Sequence, residues 1–375
     1  MSDDTNFEIF LVAVPGLEGA LCAEARSVGY KKAKTVDGGV VLRGGWPDVW
    51  RANLELRGAS RVIARIEEFR AFHLAQLDKR ARTVAWGNVL RRDRPFRVEA
   101  TCTASRIYHS GAAAERIERA IRETLGAPAS DDASVVIKAR FDKDVCTLGI
   151  DTSGEGLHKR GHKQAVNKAP MRETLAALFL RQCGYAGREP VLDPMCGSGT
   201  FVIEAAEIAA GLHPGRARTF AFEHLATFDA TAWQRLKERD RTPMPPLHFY
   251  GRDRDAGAIR MSRENAQRAG VTSLTDFQDG DIADLTAPDG PPGLVIINPP
   301  YGERIGDKAQ LATLYRTLGH TLMTRFSGWR VGLITSDEGL ARATRLPFIN
   351  PSPPVLNSGL RITLYRTAAL DESGV

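Results

Sequence analysis

Apolar residues in the first 150 positions fall into short blocks separated by turn signals, a pattern of small strands and helices. Residues 7–14 predict a strand stopped by Pro15-Gly16, and the spacing over 17–28 predicts a helix. Residues 40–42, after the Asp37-Gly38-Gly39 turn, and residues 61–66 read as further strands. A second set begins with a strand at 96–101 and a helix at 112–125 that stops at Gly126. It closes with strands at 134–140 and 145–150 across Asp142-Lys143-Asp144, a hairpin.

The second half alternates strands and helices regularly. Strands end near Asp193, Gly251, Gln278, Ile297, Thr335 and Ile349, a last one covers 360–365, and helices occupy 200–210, 255–269 and 307–326. In the last helix Leu311, Leu314, Tyr315, Leu318 and Leu322 recur at helical spacing, which assigns Tyr315 to the core. The fold class expected is α/β, a doubly wound Rossmann-like sheet preceded by an α+β region. In such sheets ligands lie at the carboxyl ends of the strands.

At 375 residues the chain exceeds the size at which one core keeps growing, so more than one domain is expected. No run of about 18 apolar residues exists, and Met1-Ser2-Asp3-Asp4 is polar and acidic, unlike a secretory leader. A cytoplasmic protein with no membrane partner is expected. Five scattered cysteines without C-x-x-C spacing suggest neither a disulfide framework nor a zinc site. Charge is uneven: residues 1–169 hold 28 Lys+Arg against 22 Asp+Glu, whereas 170–375 hold 23 of each. The excess of the first half attracts a polyanion and does nothing for a small neutral substrate.

Two motifs carry chemistry. Leu192-Asp193-Pro194-Met195-Cys196-Gly197-Ser198-Gly199-Thr200 leads from a strand through a glycine turn into a helix. Gly197 and Gly199 let backbone approach a nucleotide-like ligand at the helix amino terminus, and an adenosyl group fits there. The spacing is not G-x-G-x-x-G, and no Gly-Lys-Ser/Thr follows, so dinucleotide and P-loop sites lack the residues their phosphates need. Cys196 reads as a small packing residue. The second motif, Asn298-Pro299-Pro300-Tyr301, follows the apolar strand Leu294-Val295-Ile296-Ile297. The Asn298 side chain and the Pro299 carbonyl offer two acceptors for an exocyclic NH2, and Tyr301 offers a ring on which a base can stack. Pro-Pro after a strand is also a common chain stop, and a Tyr a common packing residue. The two motifs together favour amine methylation of a nucleobase.

The chain resembles the class I S-adenosylmethionine-dependent RNA methyltransferases that carry a THUMP module, within them the bacterial 23S ribosomal RNA guanine-N2 methyltransferases. The likeness rests on Leu157-His158-Lys159-Arg160-Gly161-His162, Ala169-Pro170-Met171-Arg172-Glu173-Thr174-Leu175, the glycine turn, Phe249-Tyr250-Gly251-Arg252-Asp253, and Asn298-Pro299-Pro300-Tyr301-Gly302-Glu303-Arg304. It implies a ferredoxin-like module over 1–60, a THUMP-like RNA-binding domain over 61–155, a linker over 156–168 and the methyltransferase domain over 169–375. It implies S-adenosylmethionine as donor, S-adenosylhomocysteine as product, no metal, and an RNA partner of ribosomal type. No protein partner is inferable.

On this resemblance Pro170, Met195, Cys196, Gly197, Ser198, Gly199 and Thr200 are expected around the cofactor. Asp193 is expected at its amino-acid end, Asp253 at the ribose hydroxyls, Asp281 at the adenine amine and Ile282 over the adenine face, although each Asp can instead cap a helix. Asp253 lies far beyond Asp193, so residues 211–246 read as an insertion of unassigned role. Lys159, Arg160 and Arg304 are expected to contact phosphate; Lys163 is balanced between phosphate contact and a solvated linker, and His158 and His162 read as linker residues. Asn298, Pro299, Pro300 and Tyr301 form the expected catalytic loop. Alternatives are a tRNA guanine-N2 enzyme, a DNA adenine-N6 enzyme and a catalytically idle RNA binder.

Overall fold

The computed structural model describes residues 6–163, 171–238, 246–301, 308–357 and 359–371. Its elements run β1 (Phe7–Val12), α1 (Glu18–Ser27), β2 (Lys34–Val36), β3 (Gly39–Gly44), α2 (Trp46–Glu55), β4 (Arg61–Arg70), α3 (Leu74–Thr83), β5 (Phe96–Thr103), α4 (Ser110–Leu125), β6 (Val135–Asp142) and β7 (Val145–Asp151). They continue α5 (Glu173–Gln182), β8 (Val191–Asp193), α6 (Thr200–Ala209), α7 (Ala230–Lys237), β9 (Phe249–Asp253), α8 (Ala256–Ala269), β10 (Thr275–Asp279), β11 (Leu294–Ile297), α9 (Lys308–Arg325), β12 (Arg330–Thr335), α10 (Glu338–Ala343), β13 (Val355–Asn357) and β14 (Leu360–Arg366).

Packing divides the chain into two units. The first comprises Met1–Ala13, Leu21–Leu157 and Arg218–Arg239; the second comprises Val14–Ala20, His158–Ala217 and Asp240–Val375.

The first unit is built on one seven-stranded sheet in the order β2-β3-β1-β4-β7-β6-β5. The β6–β7 hairpin turns on Lys143 and Asp144, at φ 50° and 65°, the paired left-handed conformation that matches the twist of two strands. Helix α4 buries Ala113, Ile117, Ala120, Ile121 and Leu125 as one stripe and ends at Gly126, whose φ of 79° lets it close the helix. Two helices were not visible in the apolar pattern. Helix α3 buries only Leu77 and Ala81, and the Arg82–Asp78 ion pair (2.7 Å) spans one of its turns. Helix α2 opens with Pro47 in its first turn, where the missing N–H costs nothing, and Asp48 accepts from the Gly45 N–H at 3.0 Å. Strand β4 runs four residues past its expected end because β7 continues to pair with it through a bulge at Arg65/Glu67.

The segment expected as an insertion enters this unit's core. Phe220 and Phe222 stack with ring centroids 5.1 Å apart, Trp233 of α7 meets Phe222 edge-on at 5.1 Å, and Phe228 meets Trp50 of α2 at 5.9 Å. Asp229 caps α7 by accepting from the Thr231 and Ala232 N–H groups.

The second unit carries a seven-stranded sheet in the order β10-β9-β8-β11-β12-β14-β13. Strands β8 to β12 run parallel, and β14 returns antiparallel to β12. The connection order reverses between β8 and β11, the place where doubly wound sheets open a crevice for a ligand. Tyr315 is fully buried, with Leu318 and Leu322 of α9, against Val295, Ile297 and Leu333 of the sheet. The expected strand ending at Ile349 is corrected: pairing there shrinks to an isolated bridge, Phe348 to Thr367, and an Ile349 N–H donating to the Arg366 carbonyl at 2.8 Å. Pro347 just before the bridge and prolines 351, 353 and 354 after it lack the donors a continuous ladder requires, and regular pairing resumes at β13.

Trp233 is 5% exposed within its aromatic cluster. The expected effect of Trp233→Ala is a loss of about 3–5 kcal/mol in the unfolding free energy of the first unit. Denaturant titration of the full chain checks it; a shift below about 1 kcal/mol would mean that the cluster only covers an already stable core.

Candidate active site

Strand β8 ends at Asp193, and the chain reaches α6 through a turn that only glycine accommodates at one position. Gly199 adopts φ 82°, and a Cβ there would lie 3.0 Å from Ser262 Oγ and 3.2 Å from the Phe277 ring. Gly197 is left-handed as well, at φ 55°. Its N–H donates to Asp253 Oδ2 at 2.9 Å, and Asp255 N–H donates to Asp253 Oδ1 at 3.0 Å. The carboxylate closing β9 therefore braces the turn that follows β8. Cys196 is buried, and burial pushes its thiol well above the ordinary range. A Cβ on Gly251 would meet Cys196 Sγ at 3.1 Å and the Phe277 ring at 2.3 Å, so the thiol and the ring fill the space that Gly251 leaves.

Asp193 is 2% exposed and accepts the Met195 N–H at 3.0 Å. Burial raises its pKa to about 8; the Met195 hydrogen bond opposes this, and the nearby Asp253 charge adds to it. Asp281 is exposed and caps the short turn after it by accepting the Ala283 N–H at 2.9 Å, while Ile282 is 7% exposed within the core. Capping occupies one oxygen of Asp281 and leaves the other available.

Strand β11 pairs with β8 so that Val295 lies beside Leu192, which carries Asn298 beyond Asp193 at the same end of the sheet. Asn298 Oδ1 is buried, and among the described residues no donor meets it. A buried acceptor without a donor is costly, and it marks a place built for a donor that arrives from outside. The Pro300 carbonyl is held in place: the Tyr315 hydroxyl donates toward it at 3.3 Å and lies 3.3 Å from Thr335 Oγ1, a hydroxyl that can donate in turn. Pro299 is buried. Tyr301 is half-buried against the α9 core; burial raises its hydroxyl pKa, and the nearby Asn357 side chain works against the rise.

The basic segment departs from expectation. Arg160 is 2% exposed and pairs with Glu204 of α6 at 3.3 Å, so it has no surface for a phosphate, and that expectation is corrected. His162 is also buried, 3.8 Å from Glu207; burial lowers its pKa while Glu207 opposes the shift, and the residue is not part of a solvated linker. Lys163 donates to the Met171 carbonyl and Thr200 Oγ1, each at 2.9 Å, and pairs with Glu173 at 3.1 Å. A small cavity beside it is lined by Ser198, Thr200, Glu173 and His162. Lys159 is exposed. Pro170 and Arg304 lie outside the described residues.

The signal for this arrangement was present in α6. Glu204 and Glu207 stand three apart on an otherwise apolar helix, which demands cations nearby. Among the described residues no group of three His, Cys, Asp or Glu could hold a metal. No described helix is long and apolar enough to cross a membrane.

Comparison with known proteins fits this geometry. A family model described as "RMKL-like, methyltransferase domain" matches residues 160–350, and one described as "RlmL ferredoxin-like domain" matches residues 8–63. The chain is 34% identical over 346 residues to the ribosomal RNA large subunit methyltransferase K/L of Vibrio parahaemolyticus, covering 88% of this chain and 49% of that protein. It thus spans about half the length of the curated relatives it matches. A crystal structure of SMU.472 complexed with SAH aligns over 99% of this chain and 100% of that one, with TM-score 0.87 and 26% identity. A Listeria monocytogenes protein named by prediction as an N6-adenine-specific DNA methylase aligns over 97% and 96%, with TM-score 0.88 and 30% identity.

The raised pKa of Asp193 makes a signed prediction. The folded state favours the protonated carboxyl, so this stabilisation is complete below the ordinary value of 3.8 and is lost as pH rises through about 8. Asp193→Asn keeps the acceptor for Met195 and cannot ionise. Its melting temperature is expected to gain on that of the parent as pH rises from 5 to 8, then to hold a constant difference. Parallel melting curves across that range would contradict the assignment.

Proposed function

The chain belongs to the RMKL-like methyltransferase family, and on that premise we propose that it transfers a methyl group from S-adenosylmethionine to the exocyclic N2 amine of a guanine in RNA, with 23S ribosomal RNA as its substrate. The observation that carries this reading is Asn298 Oδ1, a buried acceptor that no donor among the described residues meets, at the carboxyl end of a strand and three residues before Tyr301.

The glycine turn fits an adenosyl donor. Gly197 to Thr200 present backbone close to the ligand, Asp253 keeps lone pairs for two ribose hydroxyls, and Asp281 with Ile282 borders the adenine. When bound, the donor supplies a methyl group on a sulfonium that needs no activation by metal. The protein's work is positioning and electrostatics. A guanine amine is a weak nucleophile because its lone pair is delocalised into the ring. Asn298 Oδ1 and the Pro299 carbonyl accept hydrogen bonds from its two N–H groups, favour pyramidal geometry and turn the lone pair toward the methyl. Pro300, its carbonyl held by Tyr315, keeps the loop in register, and Tyr301 stacks on the extruded base. Asn298 is neutral, so the proton leaves after transfer, when the product amine is acidic.

RNA as substrate is supported by the ferredoxin-like match and by the charge excess of residues 1–169, with 61–155 proposed as the THUMP-like RNA-capturing part. Exposed Lys159 remains a candidate phosphate contact beside it. The reaction is assigned to the cytoplasm, where that RNA is made in bacteria. The name of the Listeria relative favours adenine in DNA as a second reading. Mapping methyl groups in RNA and DNA from a strain lacking the gene separates the two: loss of an N2-methylguanosine in 23S rRNA is expected, loss in tRNA would move the substrate, and loss of N6-methyladenine in DNA would overturn the reading.

Asn298→Ala is expected to lower kcat by about 10²–10³ with RNA and cofactor affinity little changed, because the side chain acts in the transition state. Asn298→Asp keeps an acceptor of equal size and should retain part of the activity. Full turnover in both variants would remove Asn298 from the chemistry. Asp253→Ala is expected to weaken S-adenosylmethionine binding by about 1.5–3 kcal/mol in calorimetry, with circular dichroism reporting the fold. Unchanged affinity in a folded variant would reassign the ribose contact.

A further inference from the structure

Strand register carries β14 past the edge of the sheet. Thr363 pairs with Thr335, the last residue of β12, and Ile362, Arg361 and Leu360 lie beyond it. At about 3.3 Å per residue the overhang reaches roughly 10 Å. It projects from the edge that also carries Asn298, since β11 and β12 run parallel in register, with Ile297 beside Leu333. Strand β13 folds back along the overhang, pairing Val355 with Ile362, Leu356 with Arg361 and Asn357 with Leu360.

Alternation puts Val355, Asn357, Leu360 and Ile362 on one face of this hairpin. Val355 and Ile362 are 1% and 0% exposed, whereas Leu360, one pair further out, is 48% exposed. The inner apolar face therefore continues past the core into open space. On the same face, opposite Leu360, stands Asn357. The outer face of the tip presents Leu356, 58% exposed, and the exposed guanidinium of Arg361.

We propose that this hairpin tip is an RNA-binding wall of the active site, with Leu360 packing on the nucleotide next to the guanine held at Tyr301 and Arg361 meeting the adjoining phosphate. The inference rests on the RNA methyltransferase reading. Extruding a base leaves its neighbours with an open stacking face, and an apolar side chain at the rim recovers part of that loss without reading sequence. A cation on the outer side of the same hairpin meets the backbone of a polyanion. A single exposed leucine is ordinary on a protein surface. What distinguishes Leu360 is that it continues the buried Val355 and Ile362 face onto an overhang that projects from the sheet edge carrying Asn298.

The test uses the full chain, 23S rRNA purified from a strain lacking the gene, and tritiated S-adenosylmethionine. Leu360→Ser should lower kcat/KM for this RNA by about ten-fold, Leu360→Met should restore it, and calorimetric affinity for S-adenosylmethionine should stay within about two-fold of the parent. Arg361→Gln should reduce the salt dependence of RNA binding in filter retention by about one unit of slope. If Leu360→Ser keeps the parent kcat/KM while Asn298→Ala is inactive, the hairpin proposal fails and the functional reading stands. If Leu360→Ser instead changes the mass in light scattering with RNA kinetics unmoved, the tip is a contact between copies and the proposal fails. A parent enzyme inactive on this rRNA would sink the reading and the proposal together.

Discussion

Two carboxylates on one helix set the terms for the second unit. Glu204 and Glu207 are 1% and 0% exposed, and a buried carboxylate survives only if cations and donors reach it. Arg160 answers Glu204 from the segment before α5, and Arg216 answers Glu207 from beyond the helix. Lys163, in the same basic segment, reaches Thr200 and Glu173 and ties the first residue of α6 to the first residue of α5. Helix α6 begins where the glycine turn ends, so the ion pairs that satisfy its buried carboxylates also fix where that turn can sit. Removing one partner leaves an uncompensated buried charge, which costs several kcal/mol. Arg160 and His162, which read as parts of a basic linker, are in this way part of the packed interior.

The active edge of the sheet works by contrast with that interior. Around α6 the buried carboxylates meet opposite charges, whereas at the end of β11 a neutral acceptor is buried with no donor among the described residues. A carboxylate at that position would be expensive to bury and strongly basic once buried. An amide costs less and still accepts the protons of an amine, which suits a reaction in which the nucleophile must be positioned rather than deprotonated. Asp193, one strand away, shows what burial does to a carboxylate left with one backbone donor and an acidic neighbour: its pKa climbs toward neutrality. Asp253 escapes deep burial and braces the glycine turn through Gly197, so one residue serves turn geometry and remains open to a ligand.

The path of the chain between the two units matters for how it can be divided. Residues 218–239 leave the second unit in sequence and supply Phe220, Phe222 and Trp233 to the aromatic cluster of the first. A fragment beginning at residue 170 would carry these rings without the Trp50 they pack near, and a fragment ending at residue 157 would lack them. Dissecting RNA capture from methyl transfer is therefore better done by point substitution in the whole chain than by cutting at the polar stretch after residue 153.

Much of the architecture was legible because its causes are local. Alternating and blocked apolar residues marked most strands, Gly126 and Asp142-Lys143-Asp144 marked a helix end and a hairpin, and the glycine turn and Asn298-Pro299-Pro300-Tyr301 stood at strand ends where ligands bind. Helix α3 was hidden because its stability comes from tertiary contacts of only two buried residues, Leu77 and Ala81, and from ion pairs, which leave no apolar period. The strand near Ile349 failed because prolines withhold the N–H groups a ladder needs, a cost that apolar content does not reveal. Sequence also determined that Glu204 and Glu207 needed partners, but it did not say which cations would come. That choice, like the burial of Arg160, the unmet Asn298 oxygen and the overhang of β14 beside Tyr301, was made only by the tertiary structure, because burial and register depend on what packs across distances the local pattern does not encode.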